Sequence, residues 1–219
     1  MVDYATARMN MVESQLRTNK VTDQRVLEAF ETIPRERFVP DHLRSLAYVD
    51  EDLRLKGERY LVEPMVQARL MNVADIQPED VVLVVGAGTG YACAVLSTIA
   101  ATVVGLESDP ELAKLAESAL QEQGVDNAVV IQGEMEKGYA KQGPYDVILV
   151  NGAVAEVPKA LTDQLSPQGG RLVTVVRSGT GPGKGTVFER WDKAVGRRTL
   201  FDANTPVLPG FRKQPGFVF

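Results

Sequence analysis

The stretch Val81–Gly90 reads Val-Val-Leu-Val-Val-Gly-Ala-Gly-Thr-Gly, and it decides the fold class. Its first half is a continuous apolar run without alternation, which is typical of a central strand in a parallel sheet covered on both faces. Its second half has glycines at alternate positions, Gly86, Gly88 and Gly90. Glycine lets a backbone turn sharply and approach a ligand where a Cβ atom would clash. Because a helical pattern of apolar residues begins at Tyr91, the order of strand, loop and helix predicts a ligand crevice at the carboxyl end of an open α/β sheet.

The spacing of the glycines indicates the class of ligand. A dinucleotide-binding loop has the pattern Gly-x-Gly-x-x-Gly, and its third glycine would fall at Tyr91. The observed Gly-x-Gly-x-Gly pattern resembles instead the loop of S-adenosylmethionine-dependent methyltransferases. A second apolar run, Val103–Glu107, ends in an acid that can accept hydrogen bonds from both ribose hydroxyls of an adenosyl group. An ordinary solvated carboxylate at a strand end is the alternative for Glu107, and the glycine loop upstream favours the ligand role.

The composition narrows the possible functions. The chain of 219 residues has 44% hydrophobic and 24% charged residues, as is usual for one globular core. A net charge of −5 argues against a protein dedicated to nucleic acids or to anionic membranes. The first residues lack the apolar core of a signal peptide, and no apolar run is long enough for a membrane helix, so we expect a cytoplasmic protein. Oligomeric state has no signature in the sequence.

Two residue types that often carry chemistry are scarce. His42 is the only histidine and Cys93 the only cysteine, and no carboxylate cluster has metal-ligand spacing. We therefore expect no metal site, no internal disulfide, and no Ser-His-Asp or Cys-His hydrolysis. Cys93 is expected to be a buried structural thiol, and His42 is expected on a helix surface.

The rest of the chain divides into a helical front piece and an alternating region. Apolar residues at helical spacing precede the polar segment Asp50–Glu63, which is predicted to be irregular. From Pro64 onward helices and strands alternate, which predicts βαβ units with right-handed crossovers. The last predicted helix is Lys159–Leu165, and the tail Thr199–Phe219 is predicted to be a final strand followed by an extended segment.

The glycine-rich segment Ser178–Thr186 invites comparison with a phosphate-binding loop. The comparison fails, because Ser178 stands where the first glycine should be and Gly185 stands where a serine or threonine should follow Lys184. An alternating strand pattern comes next rather than a helix, so a hairpin connection is predicted.

Several stretches resemble protein-L-isoaspartate O-methyltransferases. They lie in the family's order over residues 9–176, and the run Ile33–Pro40 is rather specific. The others are Met11–Arg17, Arg25–Leu27, Ala47-Tyr48, the glycine loop and Gln164–Val173. The resemblance implies an α/β fold with a Rossmann-like methyltransferase sheet, flanking helices and an N-terminal helical addition. The helical and acceptor-side region would span residues 1–63 and the S-adenosylmethionine-binding core residues 64–219, as one compact unit. It also implies methyl transfer from S-adenosylmethionine to a side-chain carboxylate of a protein or peptide, as in protein repair.

The resemblance also implies which residues bind the cofactor and the acceptor. The cofactor side comprises Gly86, Ala87, Gly88, Gly90, Glu107, Ser108, Glu134 and Met135. Of these, Glu107 would bind the ribose hydroxyls and Glu134 would meet the adenine amino group. The acceptor side comprises Arg59, Tyr60, Val62 and Asn151. No catalytic acid or base is expected, because a carboxylate is already nucleophilic at neutral pH and the enzyme supplies alignment and charge complementarity.

Some positions depart from the family's pattern. The family has an acid two residues before the first loop glycine, where this chain has Val84. The family's acceptor segment Gly-Gln-Thr-Ile-Ser-Gln-Pro appears here as Glu58–Pro64, so that Val62 replaces a serine hydroxyl. Two interpretations stay open: drift within an isoaspartyl methyltransferase, or a relative with a different acceptor or with weak or no activity. A non-catalytic adenosyl-binding protein and a dinucleotide oxidoreductase are the rival classes.

Overall fold

A computed structural model describes residues 3–179 and 181–212 of the chain. The predicted helical front piece is confirmed. It consists of helix α1 (Tyr4–Met11), a π turn (Val12–Leu16), a 3₁₀ turn (Arg17–Asn19), helix α2 (Gln24–Thr32) and two further 3₁₀ turns, Arg35–Phe38 and Asp41–Leu46. Helix α2 begins where the sequence predicts, because the Asp23 carboxylate accepts a hydrogen bond from the Arg25 backbone N–H at 2.9 Å.

The segment between residues 50 and 63 is not irregular, so that prediction is wrong. It forms an antiparallel hairpin of strand β1 (Leu53–Lys56) and strand β2 (Arg59–Leu61), which turns at Gly57 with φ +54°. Leu53 and Leu61 pair directly and are both buried. The charged residues of this segment obscured a short alternating pattern on either side of a glycine, which is a hairpin signal.

The core is one mixed sheet of seven strands, as predicted, in the order β5-β4-β3-β6-β7-β8-β9. The strands are β3 (Val81–Val85), β4 (Thr102–Glu107), β5 (Ala128–Gln132), β6 (Val147–Val154), β7 (Gln168–Val176), β8 (Gly183–Trp191) and β9 (Ala194–Ala203). Strands β3 to β7 run parallel, and β8 and β9 are antiparallel to their neighbours. The flanking helices are α3 (Pro64–Ala74), α4 (Tyr91–Ser97), α5 (Pro110–Glu122) and α6 (Lys159–Thr162), the last shorter than predicted. Residues 213–219 of the predicted tail lie outside the described residues.

Strand β3 lies in the middle of the sheet and is buried on both faces. Val82 and Val84 pack with the helical front piece, whereas Leu83 and Val85 pack into the cluster on the opposite face. This burial explains the unbroken apolar run. The strand order reverses between β3 and β6, so the crevice of this α/β sheet opens beyond the carboxyl end of β3. Within the described ranges, no helix is long and apolar enough to cross a membrane.

Candidate functional site

The glycine loop turns sharply at the end of β3. Gly86, Gly88 and Gly90 have φ values of +83°, +59° and +93°, which favour glycine. The backbone N–H groups of Gly86 and Ala87 both donate to the Leu106 carbonyl, at 2.8 and 3.1 Å, so the loop is tied to the end of β4. A Cβ atom at Gly90 would lie 3.2 Å from the Cα atom of Ala116, which shows how closely helix α5 packs against the loop.

Glu107 lies at the centre of the site and is completely buried. One carboxylate oxygen, Oε2, accepts from the Gly88 backbone N–H at 2.7 Å, and Oε1 accepts from the backbone N–H groups of Ser108 and Asp109 at 2.9 and 3.1 Å. The sequence therefore places the loop and the acid together correctly. The contacts to the loop and to the start of α5 hold the carboxylate rigidly beside the glycines.

A further donor to Glu107 comes from the hairpin. Nη2 of Arg59 lies 2.5 Å from Oε2 of Glu107, and the Arg59 side chain is only 6% exposed. Arg59, which the resemblance assigns to the acceptor side, therefore contacts the predicted ribose-binding acid in this structure. Arg59 and Tyr60 are consecutive in β2, so their side chains point to opposite faces of the hairpin.

The space directly over the loop glycines is filled by other parts of the chain. A Cβ atom at Gly86 would lie 3.2 Å from Arg59 Nη2 and 3.3 Å from Leu208 Cδ1, and one at Gly88 would lie 3.4 Å from Leu55 Cδ1. The backbone of the loop and the acid are of the kind that hold an adenosyl group. The position beside Glu107 fits its ribose only when Arg59 has moved away, because the carboxylate oxygens already accept from Arg59, from three backbone N–H groups and from the Ser108 hydroxyl.

An open cleft lies beside Glu107, next to Ser108. It has a volume of about 440 Å³. Its walls are formed by Ser108, Gln132, Gly133, Glu134, Met135, Glu136, Pro209 and Gly210. Glu134 is exposed there and pairs with Lys137 at 2.7 Å, whereas Met135 is buried beneath the cleft. The predicted cofactor-side residues Ser108, Glu134 and Met135 are thus brought together.

Three of the predicted acceptor-side residues meet in a second, much smaller cavity. Tyr60, Val62 and Asn151 line it together with Leu208 and others, and its volume is about 10 Å³. Such a space holds at most one water molecule. The Asn151 amide donates to the Gly86 carbonyl at 3.2 Å and accepts from Gln67 Nε2 at 2.8 Å, so it links the acceptor side to the glycine loop.

Arg35 anchors the acceptor segment from below. It is fully buried, and it donates to the carbonyl oxygens of Ala47 and Val62 at 2.7 and 2.8 Å. Its guanidinium lies 4.9 Å from the centre of the Tyr91 ring, and burial lowers its pKa. Arg35 belongs to the specific run Ile33–Pro40, and the structure shows that this run fixes the backbone of the acceptor segment.

Two carboxyl groups beside this segment have raised pKa values. Burial raises the pKa of Glu63 to about 7, with smaller contributions from the charges of Asp52, Asp50 and Glu51. Burial also raises the pKa of Asp52 to about 6, although Asp52 accepts a hydrogen bond from the Glu63 backbone N–H at 2.9 Å. The two groups flank the β1–β2 hairpin, Asp52 directly before β1 and Glu63 shortly after β2.

The two residues set aside on sequence grounds lie as expected. Cys93 is buried in α4, and burial together with the nearby Glu107 carboxylate raises its pKa to about 12, so it is an unreactive thiol. His42 is exposed on its 3₁₀ turn. Among the described residues, no group of three histidine, cysteine, aspartate or glutamate side chains could hold a metal ion.

The fold and the loop define a class of protein. A glycine loop after the central strand, with an acid at the end of the neighbouring strand, on a seven-stranded sheet, is the arrangement of a Rossmann-like methyltransferase. The family model described as "Protein-L-isoaspartate(D-aspartate) O-methyltransferase (PCMT)" matches residues 7–202. The chain therefore belongs to the protein-L-isoaspartate O-methyltransferase family.

Individual relatives agree with this assignment. A protein-L-isoaspartate O-methyltransferase of Koribacter versatilis is 43% identical over 178 residues, which cover 81% of this chain and 80% of the relative. One of Gloeobacter violaceus is 36% identical over 205 residues, which cover 94% and 98%. A solved structure of a protein-L-isoaspartate O-methyltransferase matches with a TM-score of 0.80 at 26% identity, covering 93% of this chain and 66% of that chain. A Plasmodium falciparum structure, titled as a putative member in complex with S-adenosyl-L-homocysteine, matches with a TM-score of 0.74 at 19% identity, covering 95% and 99%, and at that identity supports the fold alone.

Proposed function

We propose that this protein transfers a methyl group from S-adenosylmethionine to the side-chain carboxylate of isoaspartyl residues in proteins or peptides. The observation that carries the proposal is the contact between the glycine loop and Glu107, in a chain that the family model covers from residue 7 to residue 202. The names of the relatives described above support this acceptor rather than a silent relative or a different acceptor. A role in protein repair and a cytoplasmic location are part of the proposal.

The residues that would hold the cofactor lie along one edge of the sheet. Once Arg59 has moved away, the loop glycines would let the backbone approach the cofactor and Glu107 would accept hydrogen bonds from the ribose hydroxyls. Ser108, Glu134 and Met135 would surround the adenine in the open cleft. When bound, S-adenosylmethionine supplies an electrophilic methyl group on a sulfonium centre. A dinucleotide is disfavoured, because Tyr91 is fully buried where the third glycine of a dinucleotide loop would be needed for close packing.

The protein would align the cofactor with the acceptor and exclude water, and it would not need to supply a general base. An isoaspartyl carboxyl group is ionised at neutral pH and needs no proton removed before it attacks a methyl group. Tyr60, Val62 and Asn151 would face the acceptor, and the Asn151 amide donates to the Gly86 carbonyl of the glycine loop at 3.2 Å. Alignment of two reactants in a site without bulk water can supply much of a rate enhancement.

The test is methyl transfer from S-adenosylmethionine with a labelled methyl group to a pair of peptides that differ only in one residue, isoaspartyl or aspartyl. We expect a base-labile methyl ester on the isoaspartyl peptide alone. Glu107→Gln should abolish the transfer, whereas Glu117→Gln, a substitution of an exposed acid on helix α5, should leave it unchanged. Equal labelling of both peptides, or of neither, would contradict the proposed acceptor.

A further inference from the structure

The β1–β2 hairpin lies over the glycine loop as a cover. Its inward side chains, Leu55 and Arg59, fill the space that Gly88 and Gly86 leave open. Leu208, from the segment after β9, completes this layer over Gly86. The ribose end of the crevice is therefore closed by the chain itself, whereas the adenine end is open as a cleft of about 440 Å³.

Of the two members of the ion pair beneath this cover, only Glu107 has its hydrogen-bonding capacity satisfied by other groups. Glu107 accepts from three backbone N–H groups besides Arg59, so its charge stays well solvated by the protein without the guanidinium. Arg59 has the opposite situation: its Nε and Nη1 atoms are buried and have no hydrogen-bond partner within residues 3–179 and 181–212. A buried donor without a partner is unfavourable, so the guanidinium is the member of the pair that can leave at low cost.

Ion pairs of the exposed hairpin residues Lys56 and Glu58 also hold the hairpin over the glycine loop. Lys56 Nζ lies 2.9 Å from the Asp109 carboxylate and 2.6 Å from that of Glu111, and Glu58 pairs with Arg212 at 2.7 Å. All three contacts are substantially exposed to solvent and are therefore individually weak. They tie the hairpin to the start of α5 and to the segment after β9, and the second of these contributes Pro209 and Gly210 to the adenine cleft.

We propose that Arg59 is a gating residue for the cofactor. Its guanidinium occupies the ribose-binding position on Glu107 in the ligand-free chain, and it leaves that position before the adenosyl group binds there. The inference rests on the proposed function, because it takes S-adenosylmethionine and its product as the ligands. Arg59 does not take part in methyl transfer. It sets the fraction of molecules in which the ribose-binding position is open.

This arrangement lowers the apparent affinity for the cofactor. If only a fraction of the molecules has Arg59 displaced, the apparent dissociation constant is the intrinsic constant divided by that fraction. An open fraction of about one tenth would cost about tenfold in affinity. An uncharged side chain at position 59 removes the competition while leaving the three backbone donors to Glu107 in place.

The experiment is calorimetric titration of the full chain with S-adenosylhomocysteine. Arg59→Gln should bind S-adenosylhomocysteine at least about tenfold more tightly than wild type does. Arg54→Gln is the matched control: it removes an exposed arginine of the same hairpin whose guanidinium donates to the Gly57 carbonyl at 2.6 Å, and it should bind as wild type does. Lys56→Gln removes the ion pairs of Lys56 with Asp109 and Glu111 and leaves the Arg59–Glu107 pair intact, so it should bind about two- to threefold more tightly than wild type. If Arg59→Gln does not fold, the affinity of Lys56→Gln tests the gate in its place.

The outcomes separate this inference from the proposed function. If wild type binds and Arg59→Gln binds equally or more weakly, the gate is refuted and the proposed function stands. If Arg59→Gln fails to fold and Lys56→Gln binds as wild type does, the gate is likewise refuted. If neither wild type nor any variant binds at millimolar ligand, the cofactor assignment fails, and the gate fails with it. Tighter binding by Arg59→Gln alone among the arginine variants supports both.

Discussion

Replacing Glu107 with alanine should destabilise the protein severely. The substitution removes the acceptor of the backbone N–H groups of Gly88, Ser108 and Asp109, together with the counter-charge of Arg59. A donor left in the interior without its acceptor costs about 1–3 kcal/mol, and three donors lose theirs here. Because the free energy of unfolding of a domain is usually about 5–15 kcal/mol, Glu107→Ala should remove a large share of it.

A double-mutant cycle in urea unfolding measures this effect. Arg59→Met alone should cost less than Glu107→Ala, because Glu107 keeps its three backbone donors when the guanidinium is gone. The double variant should be about as stable as Glu107→Ala alone, since Arg59 has no ion pair left to lose once Glu107 is gone. Glu117→Ala, at an exposed position of α5, is the control and should change the free energy of unfolding by less than about 0.5 kcal/mol. Additive effects of the two substitutions, or a cost below about 1 kcal/mol for Glu107→Ala, would refute the reasoning.

Three further predictions concern stability. Gly90→Ala should cost about 1–3 kcal/mol, measured by urea unfolding, because φ is +93° and the new Cβ atom would lie 3.2 Å from the backbone of Ala116; an unchanged midpoint would contradict it. The free energy of unfolding should fall as pH rises from about 4.5 to 7, because the folded-state pKa of Glu63 is about 7, above the ordinary value of 4.5, and the folded protein therefore binds this proton more tightly. Thermal unfolding across this range should show a flatter dependence for Glu63→Gln, and equal slopes in both proteins would refute the assignment. Val84→Glu should cost about 2 kcal/mol or more, since position 84 is fully buried in the central strand, and an unfolding midpoint like that of wild type would show that the strand tolerates a carboxyl group.

The parts of the site that depend on local sequence were predictable. The apolar run, the glycine spacing and the acid at the end of the next strand specify a strand, a turn and a neighbouring strand, and the structure brings Gly88 and Glu107 within hydrogen-bond distance. The N-cap of α5 is equally local, because Asp109 accepts from the backbone N–H groups of Glu111 and Leu112 at 2.8 and 3.2 Å.

The closure of the site could not be predicted in the same way. It depends on the ion pair between Arg59 of β2 and Glu107 at the end of β4, which are far apart in the chain. It also depends on the segment after β9 that carries Leu208. The sequence of the hairpin is rich in charge, which favoured an irregular segment over two short strands. Once β2 is recognised as a strand, alternation assigns Arg59 and Tyr60 to opposite faces. No local pattern indicates that the partner of Arg59 is Glu107.

A crystal structure of the chain with S-adenosylhomocysteine tests the central claim most directly. We expect the ribose hydroxyls within hydrogen-bond distance of the Glu107 carboxylate, the adenine in the cleft beside Ser108 and Glu134, and the Arg59 guanidinium displaced from Glu107. A ligand bound elsewhere on the molecule, with the Arg59–Glu107 pair intact, would contradict both the assignment of the site and the role of Arg59.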